Sequence, residues 1–451
     1  MTLAMPVGER ALLVFAALVL VACASKPEVE RPNLLLIVAD DLGIEGLRTY
    51  GGEYYETPNI DALAARGVRF ENVYATPLCV PSRVELLTGQ YPFRTGAHAA
   101  ALEGASTSAL SPTLPSFARS LRDAGYATAV AGKWHLGPLQ KVPDHPQQLG
   151  FETYSLWEQR NAKDRYWAPR IVEDGVLRED LIRDDVYGPD VSTDFLVEFI
   201  EKNRDRPWFA FYSMVLAHRP YTATPATVKS GTESKKARGE RGDLVDNREN
   251  VAYLDRLVGR LLEKLQELGL EDRTIVLFTG DNGTDAFTEM IRDGKVVRGG
   301  KSKLDEGGAT VPLIVAGPGV VGGAVRPGLV DLTDFFPTLL ELARVPLPEG
   351  VVLDGKSFAS DLRGESADRR SWAYVQLGPR WFVTDARHRL HHDGSFFDVA
   401  ERFARPPLGL REPLSPDVAA ARGRLEATVR ELRPELAPLP AAPAPTATRH
   451  R

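Results

Sequence analysis

The sequence predicts an α/β protein: a large, mostly parallel sheet sandwiched by helices, followed by a smaller C-terminal domain with an antiparallel sheet and one helix. Three observations carry this. Continuous apolar runs recur at Leu34–Ala39, Tyr126–Ala131, Trp208–Val215, Thr274–Thr279 and Val311–Ala316, and runs of this length suit strands buried on both faces. Stretches with helical periodicity separate them, the order expected of parallel strands joined by crossover helices. After Gly364 the segments shorten and alternate, as antiparallel strands with one wet face do. A chain of 451 residues is long enough for a large core and more than one domain.

In chain order, Thr57-Pro58-Asn59 opens a helix that ends near Gly67, with Pro58 in the first turn, where a missing N–H costs nothing. Val68–Tyr74 alternates like a strand and leads to Cys79-Val80-Pro81-Ser82-Arg83, which an apolar helical run follows. Leu114–Ala124 reads as a helix closed by Gly125. Residues 150–190 are irregular and read as a loop layer over the strand ends. Val191–Lys202 and Val251–Leu268 are helical, the second with Leu254, Leu257, Val258, Leu261, Leu262 and Leu265 on one stripe. Lys229–Asp246 is polar and lysine-rich, an exposed loop, and Asp334–Leu342 is a further helix. In the C-terminal domain Ala373–Leu377, Trp381–Thr384, His388–His392 and Phe396–Asp398 read as strands and Asp417–Leu432 as the helix. The Pro- and Ala-rich stretch from Leu436 onward is expected to be disordered.

A formal net charge of −6 argues against a nucleic-acid partner; an anionic ligand would need local positive charge. There are two cysteines, Cys23 and Cys79. The run Ala11–Ala22 is uncharged and too short to span a bilayer as a stable helix. It ends in Leu20-Val21-Ala22-Cys23, which resembles the lipobox of bacterial lipoproteins. That resemblance implies a signal peptide over 1–22, a lipid on Cys23, a tether over 23–31, and export to the periplasmic or cell-surface side of a bacterial membrane. The remainder divides into a catalytic domain (32–364), a C-terminal subdomain (365–435) and the tail (436–451). Cys79 is then a lone thiol in an exported protein, which marks it out.

Polar residues gather at the strand ends. Asp40 and Asp41 follow the first run, Lys133 and His135 the second, His218 the third, Asp281 and Asn282 the fourth, and Lys301 lies beside the fifth. Open α/β sheets bind ligands at the carboxyl ends of their strands. Adjacent carboxylates repel unless a cation lies between them, and three carboxylates with an amide make an all-oxygen set for a hard divalent cation, Ca²⁺ or Mg²⁺. Lys133 and His135, two apart, can share one face of a strand. Gly299-Gly300-Lys301 allows close backbone approach to an anion with a charge at hand. Cys79, at a helix start, sits beside unpaired backbone N–H groups and the positive end of the helix dipole. Taken alone, it would read as a small core hydrophobe.

Cys79-Val80-Pro81-Ser82-Arg83 with Leu87-Thr88-Gly89 resembles the signature of the type I, arylsulfatase-like sulfatases of the alkaline phosphatase superfamily. The similarity runs from about Arg31 to about Asp398, through Asp40-Asp41-Leu42-Gly43, Gly132-Lys133-Trp134-His135, Gly280-Asp281-Asn282-Gly283, Gly300-Lys301 and Glu306-Gly307-Gly308. It implies sulfate-ester hydrolysis on a sulfated small molecule or saccharide. Cys79 would be oxidised before folding to Cα-formylglycine by a formylglycine-generating or anaerobic sulfatase-maturating enzyme that reads Pro81 and Arg83. Asp40, Asp41, Asp281, Asn282 and residue 79 would hold Ca²⁺, with Mg²⁺ as the alternative. Arg83, Lys133 and His135 would hold the hydrated aldehyde, and His218 and Lys301 would grip the sulfate.

The chemistry explains the modification. One hydroxyl of the hydrate attacks sulfur as the ester oxygen leaves; the second is then deprotonated and expels sulfate by C–O cleavage, so no water attacks sulfur. Asp281 is the expected base and protonated His218 the expected acid. Two alternatives use the same residues: a phosphonate or phosphate monoester hydrolase, and a lipoprotein that binds sulfated glycans without turnover. Some positions depart from the family pattern. Ser302 stands where glycine is frequent, Thr310 where arginine is frequent, Glu45-Gly46 replaces the frequent Gly-Asp, and Ser155 is the candidate for a serine found in some members.

Overall fold

The computed structural model describes residues 31–97, 109–159, 165–229, 244–365, 369–401, 403, 408–410 and 413–436. The expected signal peptide, nearly all of the tether, most of the 229–246 loop and the tail beyond Leu436 lie outside the described residues.

Ten strands form the main sheet: β1 (Asn33–Ala39), β2 (Val68–Tyr74), β3 (Ala127–Lys133), β4 (Thr153–Trp157), β5 (Ile171–Glu173), β6 (Val176–Leu177), β7 (Trp208–Ser213), β8 (Thr274–Gly280) and, beyond the hairpin β9 (Glu289–Arg292)–β10 (Lys295–Arg298), β11 (Leu313–Ala316) and β12 (Ala324–Asp331). Their spatial order is β12-β2-β11-β8-β1-β7-β3-β4-β5-β6. The central five, β8-β1-β7-β3-β4, are parallel, so their carboxyl ends open on one edge. Alternate residues of β1 show why its sequence is apolar throughout. Leu34, Leu36 and Val38 pack into a layer with Phe117, Phe209 and Phe336, while Leu35, Ile37 and Ala39 pack into another with Leu254, Leu257 and Leu261. A strand buried on both faces has no wet positions to spare.

Helices α1 (Pro58–Arg66), α2 (Cys79–Thr88), α3 (Phe117–Asp123), α4 (Gly188–Lys202), α5 (Leu244–Glu267), α6 (Glu306–Ala309) and α7 (Phe335–Leu342) join or flank these strands. A second sheet, β13 (Ala373–Leu377), β14 (Arg380–Thr384), β15 (His388–His391), β16 (Phe396–Asp398) and β17 (Leu408–Gly409), is antiparallel in chain order. Helix α8 (Pro416–Leu432) packs Leu425 and Val429 against its Tyr374, Trp381 and Leu390. The described part from Pro32 onward is a single compact unit.

Several elements differ from the sequence reading. The 150–190 stretch is not only a loop layer: it adds β4, β5 and β6 to one edge of the sheet, short strands whose polar residues hid them. β11, expected among the parallel strands, runs antiparallel to both β8 and β2, so Lys301 reaches the site from the amino side of that strand. β12 was not anticipated because Pro327 and Gly328 interrupt it; it is an edge strand with a register break between Arg326 and Leu329, where proline is tolerated. Helix α3 starts at Phe117 rather than Leu114 because Ser116 accepts a bond from the Arg119 amide and caps it.

Candidate active site

The register of β1 on β8 pairs Ala39 with Gly280, so Asp40 and Asp281 leave adjacent strands at the same level. The Asp281 amide donates to the Ala39 carbonyl (3.0 Å), and the Asp41 amide donates to Asp281 Oδ1 (3.1 Å). Oxygens of Asp40, Asp41 and Asp281 lie within 4.8 Å of one another, all buried. On the other side of β7, β3 ends at Lys133, whose Nζ donates to both Asp40 oxygens (2.8 and 2.7 Å). Gly132 lets the two strands meet here: its φ is +100°, and a Cβ would lie 2.1 Å from the Ser213 carbonyl oxygen.

Cys79 is the first residue of α2 and is buried. It lies within the same 4.8 Å ligand span as Asp40 and His218. Its helix start is tied down by Ser82, whose hydroxyl donates to the Thr76 carbonyl (2.9 Å). One turn on, Arg83 donates through Nε and Nη2 to Asp281 Oδ2 (3.0 and 2.7 Å) and through Nη1 to the Ser213 hydroxyl. Ser213 in turn donates to the Lys133 carbonyl (2.6 Å), locking the arginine to the end of β3. The sequence reading missed Ser213; its place as last residue of a buried strand on the ligand edge was the available signal.

Lys301 donates to Asp41 Oδ2 (2.8 Å) and meets His218 Nε2 at 2.9 Å. His218 Nδ1 faces the Arg219 carbonyl at 2.5 Å, which requires a proton on Nδ1 and leaves Nε2 to accept from the ammonium. Burial lowers His218 to about 4, against the pull of Asp41 and Asp40. It is therefore neutral at pH 7, and the proton assigned to it from sequence rests on its partner Lys301. His135 contributes a neutral imidazole too, held well below its usual range by burial and then by Lys133 and Arg83; its Nδ1 is buried without a partner among the described residues. Ser155 is not brought to the site. It sits two residues before the end of β4, and its hydroxyl donates to Glu173 (3.1 Å).

Three carboxylates and three permanent cations share this buried volume. Burial alone would raise Asp40, but Lys133, His218, Arg83 and Lys301 overturn that and hold it well below the carboxylate range. Asp41 is lowered in the same way, by His218 and Lys301 against burial. Asp281 goes the other way: burial raises it to about 6, with Arg83 opposing. The residues fit a divalent cation. Asn282 gives its amide N–H to Asp41 Oδ1 (2.8 Å) and the Gly283 carbonyl (2.9 Å), while its own carbonyl oxygen is buried with no hydrogen-bond partner among the described residues. An orphaned hard oxygen next to three carboxylates is what such an ion would use.

Comparison with known proteins agrees with this geometry. The sulfatase family profile matches residues 32–345. Human arylsulfatase A is 32% identical, over 78% of this chain and 72% of that protein. Mouse steryl-sulfatase is 31% identical, over 75% of this chain and 66% of its own length. Among solved structures, one in complex with its substrate D-glucosamine-2-N,6-O-disulfate superposes with a TM-score of 0.70 at 21% identity, covering 90% of this chain and 98% of that one. The chain belongs to the sulfatase family, and it is an enzyme that hydrolyses sulfate esters.

Proposed function

We propose that this enzyme removes sulfate from a sulfated saccharide by way of a formylglycine at position 79 and a bound Ca²⁺. The observation that carries the reading is the position of Cys79: first residue of a buried helix, within one ligand span of Asp40 and His218, with Arg83, Lys133 and Lys301 on the surrounding carboxylates. As a hydrated aldehyde, residue 79 supplies two hydroxyls on one carbon. Asp40, Asp41, Asp281 and Asn282 would hold a divalent cation, which would supply positive charge to orient the sulfate and ease loss of a hydroxyl proton.

The chain's own groups do the rest. Asp281, buried in the carboxylate cluster and held by Arg83, accepts the proton of the attacking hydroxyl. Arg83 and Lys133 fix the nucleophile's position through contacts to Asp281 and Asp40. Lys301 and His218, hydrogen-bonded to each other, bind a sulfate oxygen and deliver a proton to the departing ester oxygen. The saccharide assignment is supported by the structural neighbour solved with a disulfated glucosamine. It also has a local support: Phe287 is 62% exposed, Arg219 stacks over it at 5.0 Å and ion-pairs with Asp285 at 2.7 Å. An exposed ring next to the His218 segment suits the face of a sugar ring. Export and lipidation at Cys23 complete the proposal and rest on the lipobox resemblance.

The test is protein coexpressed with a formylglycine-generating enzyme, with the peptide across Cys79 weighed. Sulfate release from a panel of sulfated saccharides, an aryl sulfate and the matched aryl phosphate then ranks substrates. The reading expects aldehyde at residue 79 and saccharide sulfates above the others. A thiol in a fully active enzyme, or phosphate turnover above sulfate, would overturn it.

A further inference from the structure

Helix α6, four residues long, braces three parts of the site at once. Its Gly308 carbonyl accepts from the Gly283 amide (2.9 Å), directly after Asn282, and its Ala309 carbonyl accepts from the Ala75 amide (2.8 Å), on the segment that leads to Cys79. The contact with the metal-side loop is so close that a Cβ at 283 would lie 1.9 Å from the Gly307 oxygen. The Lys301 loop is tied into the same cluster, with the Lys301 amide on the Thr284 carbonyl (3.1 Å) and the Ser302 amide on Pro77 (2.8 Å). A helix this short gains little from its own hydrogen bonds, so its place depends on what anchors it.

The anchor is Glu306, its first residue. Thr310 donates to Glu306 Oε2 (2.6 Å), and Arg389, from β15 in the C-terminal sheet, donates to Oε1. Arg389 is 2% exposed and lies 4.1 Å over the Phe382 ring, in an apolar layer with Tyr74, Ala309 and Leu329. Water does not screen a pair in such surroundings, so losing one partner strands the other's charge. Thr310 offers Glu306 a neutral hydroxyl at the position where the family often carries arginine; the guanidinium comes instead from 83 residues away.

We propose that Arg389 is a positioning residue of this sulfatase: through Glu306 it sets where Lys301 meets the sulfate and holds the loop that carries Asn282, which makes the C-terminal sheet part of the working site. The proposal rests on Lys301 gripping sulfate, as in the function proposed above.

The test uses mature full-length enzyme, with formylglycine content measured for each variant. Turnover of 4-nitrophenyl sulfate and inhibition by inorganic sulfate are compared for wild type, R389M, R389K and K301A. R389M is expected to lose about 10- to 100-fold in kcat/KM, the usual cost of removing a partner that supports a ligand, with weaker sulfate inhibition. R389K recovers part of both, and T310R in the R389M background recovers part of both from the other side. Where R389M does not fold, E306Q/R389M removes both charges together and is read in its place. A folded R389M or E306Q/R389M with wild-type KM and sulfate inhibition, or with a loss confined to thermal stability, overturns the proposal. K301A with unchanged sulfate inhibition would overturn the sulfate-grip reading as well; K301A weakened with R389M unchanged overturns the brace alone.

Discussion

Ser302 adopts a φ of +69°, a left-handed conformation that costs a residue with a Cβ about 1–2 kcal/mol relative to glycine. The family's frequent glycine at this position thus has a plain backbone reason, and the serine here is strained. S302G is expected to raise the free energy of unfolding by about 1 kcal/mol, read by chemical denaturation; a loss of stability would mean that the serine side chain holds something its geometry does not reveal. At Cys79 the expectation is sharper. C79A should fold, keep the Lys301–His218 sulfate grip, and lose at least about a thousandfold in kcat, since a covalent route has no substitute nucleophile; residual activity within tenfold of wild type would remove residue 79 from the chemistry. At this scale the sequence was informative wherever a residue ended a buried run. Asp40, Asp41, Lys133, His218 and Asp281 converge as their places at or just beyond strand ends required, and Lys301 joins them from the loop ahead of β11. What could not be read was which side chain holds which: that Lys301 rather than His218 carries the shared proton follows from an Arg219 carbonyl 2.5 Å from Nδ1, and no spacing rule reports that.

Between elements, a buried charge network outside the site joins α2, β12, the start of α7 and the approach to β13. Arg370 meets Asp331 Oδ2 at 3.0 Å and Asp334 Oδ2 at 3.0 Å, and Tyr91 donates to Asp331 (2.6 Å). Glu85, two turns along α2 from Cys79, is 1% exposed and its Oε1 has no partner among the described residues. Burial raises Asp331 to about 7, only partly offset by Arg370. Burial, then Asp331 and Asp354, raise Glu85 well above its usual range. Both groups hold protons in the folded protein that the unfolded chain gives up at about pH 4, so their contribution is full at the acid end and declines as pH rises through about 7. Asp40 and Asp41, lowered instead, lose their contribution only as pH falls below about 4. Thermal stability should therefore fall between about pH 4 and 7, and D331N should flatten that slope; an unchanged slope in D331N would place the titration elsewhere. R370M, which leaves the carboxylates facing one another, should cost about 3–5 kcal/mol. None of this network was visible in the sequence, because its members are scattered from 85 to 370 and only folding makes them neighbours.

For the molecule as a whole, the parallel centre was legible and the edges were not. Strands buried on both faces must be apolar throughout, which is a signal a sequence displays; edge strands such as β5, β6 and β12 are short, polar or proline-broken, and look like loops. The same contrast shapes the response to metal. Three buried carboxylates and an orphaned amide oxygen converge from β1 and β8, the centre of the sheet, so an ion bound there should stabilise the entire fold. Calcium at about 100 times its dissociation constant is expected to add about 2.7 kcal/mol, seen as a rise in melting temperature that EGTA reverses and D281N abolishes; equal shifts in wild type and D281N would mean the ion binds elsewhere.

The burial of Cys79 has a further consequence for anyone who handles this protein. The residue is only 7% exposed and lies within one ligand span of an aspartate and a histidine. On the proposed formylglycine route, a maturing enzyme would have to reach it before the chain folds, and each molecule would be committed while it is being made. A preparation would then mix competent and inert copies in fixed proportion. Its specific activity would record how synthesis kept pace with maturation in the producing cell, and two batches of equal purity would differ without damage to either.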